Sequence, residues 1–137
     1  MAANTAPIFT LTPETTWGAT TIATANTAKN GTGTVLTVFT AGINGSYVQR
    51  IRFRPAGTNV QTVARVFINN GLDNTTAENN ILFDEITIAA TTISETTAQS
   101  SFEIPMNFAL PAGYKLNITI GTTIAAGLYV SVIGGDY

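Results

Sequence analysis

The sequence predicts an all-β, single-domain protein, a jelly-roll-like β-sandwich of about eight antiparallel strands with an extended N-terminal arm. Three observations predict it. Apolar and polar residues alternate with a period of two almost everywhere, no stretch sustains an amphipathic helical pattern, and Gly, Pro and Asn punctuate the chain at close intervals. The chain has 137 residues, a length expected to bury about 68% of its unfolded-chain surface around one core.

Taken in order, residues 1 to 16 hold Pro7 and Pro13 among many Ala and Thr and read as the arm, of a kind commonly ordered by a neighbour. Residues 17 to 137 form the sandwich. Weak strand patterns near 8 to 12 and 19 to 24 come first. TVLTVFT (34 to 40) and YVQRIRFRP (47 to 55) then alternate β-branched and aromatic residues with polar ones, and the Gly-containing AGING between them has hairpin length. After the turn AGTN, VQTVARVFI (60 to 68) is a strand and NNGLDNTTAENN (69 to 80) a long polar loop; TAENNILFDEI has room for one helical turn. ILFDEITIA follows as a strand. SFEIPMNFAL (101 to 110) carries a Pro that marks an edge or a bend. LPAGYKLNITIG sets Tyr114, Leu116, Ile118 and Ile120 on one face and Lys115, Asn117 and Thr119 on the other. GLYVSVIGGDY closes the chain, expected to pair with the preceding strand as a hairpin across residues 121 to 127.

Six basic residues against eight acidic ones give a formal charge of −2, so no general basic field exists for a nucleic-acid coat. Charged residues are 10% of the chain, and a surface of small neutral polar groups meets copies of itself without strong repulsion. Cys and His are both absent. That removes disulfides, thiolate and imidazole metal sites, Ser-His and Cys-His nucleophile pairs and the commonest general base. The first residues lack the basic and continuous apolar regions of a signal peptide, and no stretch approaches the roughly 20 apolar residues of a membrane helix, so a soluble chain made in a cytoplasm is expected. The Asn-X-Ser/Thr matches at Asn30, Asn44, Asn74 and Asn117 read as turn and strand residues.

Half of the basic charge sits in one strand, at Arg50, Arg52 and Arg54. On an extended strand these guanidinium groups project from one face at about 6.6 to 6.8 Å spacing, while Ile51 and Phe53 turn inward. Arg65, in the strand VQTVARVFI, is a candidate fourth member. Three readings stay open: a solvated face paired with Asp84, Glu85 or Glu103; a face awaiting carboxylates or carbonyls of another subunit; or a phosphate contact, for which nothing else in the chain extends the patch. Asp84 and Glu85 are adjacent and point to opposite faces of a strand, so they form no acid/base pair, and Glu95 with Glu103 suggest no substrate groove. Asp73, Asn74, Glu78 and Asn79 offer oxygen atoms without the spacing of an EF-hand loop. No catalytic residue, metal site or cofactor is expected. Trp17 is read either as a core plug or as an interface anchor. For a carbohydrate-binding module, only Tyr47, Tyr129 and Tyr137 are free aromatic candidates, because Phe39, Phe53, Phe67 and Tyr114 alternate as core members do.

The stretches GTGTVLTVFTAGINGSYVQRIRFRPAGTN, VARVFINNG and LPAGYKLNITIGTTIAAGLYVSVIGGDY resemble those of small virion structural proteins of tailed bacteriophages, the group that includes capsid decoration or cement proteins. The resemblance rests on the order of strand and turn phrases, from about residue 31 to the end. It implies a non-enzymatic sandwich on the outer capsid surface that bridges neighbouring subunits of the major capsid protein, with synthesis in the host bacterial cytoplasm. It also implies a homo-oligomer, a trimer before a dimer, without membrane or nucleic acid as a partner. On this reading Phe9, Leu11 and Trp17 lay apolar groups on the capsid or a sister subunit, and Arg50, Arg52 and Arg54 supply polar contacts. The alternative is a carbohydrate-binding, tail or head-appendage sandwich.

Overall fold

Two antiparallel β-sheets make up the computed structural model, which describes residues 10–13 and 21–137. The strands in chain order are β1 (Thr12–Pro13), β2 (Thr21–Ile22), β3 (Leu36–Thr40), β4 (Ser46–Pro55), β5 (Thr62–Asn69), β6 (Asn80–Ile88), β7 (Phe102–Leu110), β8 (Lys115–Ile120) and β9 (Leu128–Asp136). Sheet A has the order β1-β9-β4-β7, with β2 also paired to β9. Sheet B has the order β3-β8-β5-β6. A single 3-10 turn, Ala77–Asn79, lies between β5 and β6, inside the segment where the sequence left room for one.

Alternation places the core. In β4, Val48, Ile51 and Phe53 are fully buried, and in β8 Leu116, Ile118 and Ile120 meet them from sheet B together with Ala64 and Val66 of β5. Each such large apolar side chain contributes about 1.5 to 3 kcal/mol when it leaves water. The closing strand adds Leu128, Val130 and Val132.

The chain changes sheets at almost every connection. β2, β4, β7 and β9 lie in sheet A and β3, β5, β6 and β8 in sheet B, so from β2 onward only β5 and β6 are consecutive neighbours in one sheet. Two expected hairpins are thereby corrected. β3 pairs with β8 and β4 with β7 and β9, so residues 41 to 45 carry the chain between sheets. The last two strands likewise lie in different sheets, and residues 121 to 127 form a crossover. Loop length and glycine content permit a tight turn, but both loops instead span the roughly 10 Å between packed sheets. Gly45, at φ 81°, supplies the left-handed step in the first loop, where an added Cβ would stand 2.8 Å from the Leu110 carbonyl oxygen.

Sheet B is closed on both faces along its middle strands. Residues Leu116 to Ile120 of β8 are buried without a break, including Asn117 and Thr119 on the outward side. Phe67, paired with Asn117, is fully buried yet stands outside the main core cluster. The segment 26 to 34 is anchored at both ends of this sheet. The Asn26 N–H donates to the Ile120 carbonyl at one end of β8, while Asn80 Nδ2, at the opposite end of the sheet, donates to the Asn30 carbonyl at 3.2 Å. A path between those contacts crosses the outward face, since the inward one is packed core. Asn74 fastens this strap by donating to the carbonyls of Gly31 and Gly33 at 3.0 and 2.8 Å. The face read from sequence as polar thus holds polar groups that are sealed from water, and Thr37 Oγ1 donates to Asn117 Oδ1 at 2.7 Å.

Part of the N-terminal arm is paired within its own chain. Thr12 and Pro13 lie opposite Asp136 and Gly135, and the Leu11 N–H donates to the Asp136 carbonyl at 2.7 Å.

Candidate functional site

The outward face of sheet A is exposed among the described residues, and β4 runs through its middle. Arg50, Arg52 and Arg54 project from it as the period of two requires, with Ile51 and Phe53 buried behind them. Across the β4-β7 ladder Arg52 faces Glu103, and Arg50 faces Pro105. Glu103 serves two guanidinium groups: Oε2 lies 3.5 Å from Arg50 Nη1, and Oε1 lies 4.0 Å from Arg52 Nε. Arg52 Nη2 also donates to Ser101 Oγ at 3.2 Å. All three side chains are well exposed, which limits each pair to about 0 to 1 kcal/mol. Arg54 has no ion pair among the described residues; it lies opposite Tyr129, which is 45% exposed. Among the described residues one carboxylate pairs with these arginines, which leaves the face cationic in a chain of net charge −2.

Arg65 does not join this ladder. It lies on β5 in sheet B, is 12% exposed in its side chain, and pairs with Glu85 Oε2 at 3.3 Å through Nε. The expectation failed because β4 and β5 are consecutive in sequence but belong to different sheets. For the same reason Asp84 and Glu85 cannot serve the arginine face, and of the three expected acidic partners Glu103 alone does.

Where Arg50 begins the ladder, the sheet is irregular. Between Val48 and Ile51, β4 inserts Gln49 and Arg50 where β9 has Ile133 and β7 has Pro105, Met106 and Asn107. The mismatch sets Gln49 and Arg50 side by side on the exposed face, breaking the alternation. Asn107 answers it with φ 52°, the sole non-glycine residue at positive φ among those described. Gln49, Arg50, Glu103, Pro105 and Asn107 line an open cleft of about 410 Å³ at this point. Tyr47 reaches its rim, where its hydroxyl contacts Asn107 Oδ1 at 3.3 Å. Sequence reading noted the Pro of β7 as an edge or bend signal but missed Gln49 and Asn107, because a register slip between two strands leaves no mark in either strand alone.

The remaining expected interface residues fall elsewhere. Leu11 is 82% exposed beside β9, on the edge away from β7. Phe9 and Trp17 lie outside the described residues. Among the described residues no group of three or more acidic side chains is placed to hold a metal ion, and no helix is long and apolar enough to cross a membrane. In the segment with Asp73, Asn74, Glu78 and Asn79, Asp73 Oδ1 accepts from Thr75 N, Asn79 Nδ2 donates to the Asp73 carbonyl, and Asn74 Nδ2 is spent on the carbonyls of Gly31 and Gly33. Asn117 is buried and hydrogen-bonded, which agrees with its reading as a strand residue.

No family model matches the chain, and neither a curated protein nor a solved structure matches it.

Proposed function

We propose that the chain is a non-enzymatic virion structural protein, a decoration or cement protein that sits on the outer surface of a capsid shell and bridges neighbouring major capsid subunits. The observation that carries the reading is the arginine face: an exposed, pleated surface with three guanidinium groups and, among the described residues, one carboxylate paired to them. Such a surface suits a broad protein partner that offers carboxylates and backbone carbonyls, since planar arginine donors are favoured in desolvated contacts. The strand order supports the finer fold reading. Strands β2-β9-β4-β7 over β3-β8-β5-β6, with the chain crossing between sheets, support reading the sandwich as a jelly roll. The sequence resemblance to phage virion proteins supplies the shell as partner.

Binding would stabilise the shell by mass action, because separating two bridged subunits must also break the contacts of the bridging one. A closed homo-oligomer, a trimer before a dimer, would multiply those contacts and cover exposed strand edges. The test is co-sedimentation of purified protein with expanded phage heads lacking their own decoration protein, for wild type and for Arg52→Glu/Arg54→Glu. Saturable occupancy that the double variant loses supports the reading. Failure of the wild type to sediment with heads, with recovery in a tail fraction instead, overturns the shell assignment; equal occupancy by the variant overturns the face.

A further inference from the structure

We infer that the cleft between β4 and β7 is a binding site for a neutral polyhydroxylated ligand, a saccharide ring. It rests on the cleft's own construction and not on the shell reading. Three observations converge on it.

The first is how the cleft is made. A local mismatch of register on both sides of β4 and a non-glycine residue at φ 52° meet at one point of an otherwise regular sheet. A left-handed backbone costs a residue with a side chain about 1 kcal/mol or more, least for Asn. Bulges of this kind re-aim side chains, and here they bring Gln49, Arg50 and Asn107 round one opening.

The second is the chemistry of the lining. Arg50 and the amide nitrogens of Gln49 and Asn107 donate; Glu103 and the amide oxygens accept. Arg50 and Glu103 stand 3.5 Å apart and offset one another. An anion entering here meets the Glu103 carboxylate, and a cation meets Arg50. A sugar hydroxyl both donates and accepts, so a mixed, neutral lining matches it. Pro105, exposed on the cleft, offers an apolar ring to the C–H face of a pyranose.

The third is preorganisation. The Tyr47 hydroxyl donates to Asn107 Oδ1 at 3.3 Å, which ties the Asn107 amide at the cleft and leaves its Nδ2 outside that bond. The volume of about 410 Å³ lies within the range of small-ligand clefts, roughly 300 to 1,000 Å³.

The test is an amide-detected NMR titration of the full chain with the methyl glycosides of glucose, galactose, mannose, N-acetylglucosamine and rhamnose, and with sodium acetate as the anionic probe. Saturable shifts of the Gln49 and Asn107 side-chain amides with at least one glycoside, at a dissociation constant on the order of 1 mM, are expected. Acetate should leave those signals in place. Gln49→Ala and Asn107→Gly should each weaken the response about tenfold while the rest of the spectrum keeps its dispersion, glycine being at ease at positive φ. Absence of saturable shifts with every glycoside overturns the inference, as does a response to acetate alone or unchanged binding by both variants. Head co-sedimentation by Asn107→Gly separates the two readings, since the shell contact assigned to Arg52 and Arg54 should survive it.

Discussion

Gly134 of β9 packs so tightly against β4 that a Cβ built on it would lie 2.3 Å from the carbonyl oxygen of Tyr47. No real Cβ sits that close to backbone. The contact falls at the register slip after Val48, where β4 carries one residue more than β9. Gly134 therefore lets the two central strands of sheet A stay together through the irregularity that opens the cleft.

Gly134→Ala should destabilise the protein by about 2 kcal/mol or more, because the obstruction is backbone and cannot rotate away. Urea unfolding followed by tryptophan or far-UV signals measures it. The side-chain amide signals of Gln49 and Asn107 should move in the same variant. An unchanged midpoint would mean that β9 shifts aside at little cost.

Arg50→Ala, Arg52→Ala and Arg54→Ala should each change stability by less than about 1 kcal/mol, since their ion pairs are exposed or absent among the described residues. Denaturant midpoints check this. A large loss at any of the three would make the ladder a folding device and not a contact surface.

Asn59 ties three loops together and should be costly to remove. Its Nδ2 donates to the Gly127 carbonyl at 2.9 Å, its Oδ1 accepts from Ala126 N at 2.7 Å, and its backbone bonds both ways with Thr91. The side chain is buried. Asn59→Ala strands two backbone groups, each at about 1 to 3 kcal/mol, so a loss of at least about 2 kcal/mol is expected by thermal or urea unfolding.

Thr119→Val should be neutral or stabilising, by up to about 1 kcal/mol. The Thr119 hydroxyl is buried with no hydrogen-bond partner among the described residues, and Nη1 of Arg65, its cross-strand neighbour, is in the same condition. Valine keeps the shape and removes the desolvated oxygen. A clear loss of stability would show that the hydroxyl and Arg65 share a bound water in solution.

The alternation of β4, β8 and β9 made strands and core legible in sequence, down to Ile51 and Phe53 turning in while Arg50, Arg52 and Arg54 turn out. Which strand neighbours which was not legible. A five-residue loop such as 41 to 45 serves a hairpin or a crossover equally well, and the choice is made by partners distant in sequence, such as Val38 and Phe39 packing with β8. Phe67 shows the same limit from another side: its alternation marks a buried face, yet it is buried outside the main core cluster, opposite Asn117 on the outward side. At the cleft, Arg50 and Glu103 were visible as candidates, while their union with Gln49 and Asn107 depends on a slip between strands more than fifty residues apart.

The strap over sheet B has a geometric corollary. With the middle of that face covered and the arginine face exposed among the described residues, the sandwich is two-sided like a tile with one glazed surface. A coat laid down through sheet A would turn the strap, with its Asn and Thr side chains, to the outside, and any second layer would have to grip the edge strand β6, where Ile81, Leu82 and Phe83 are exposed.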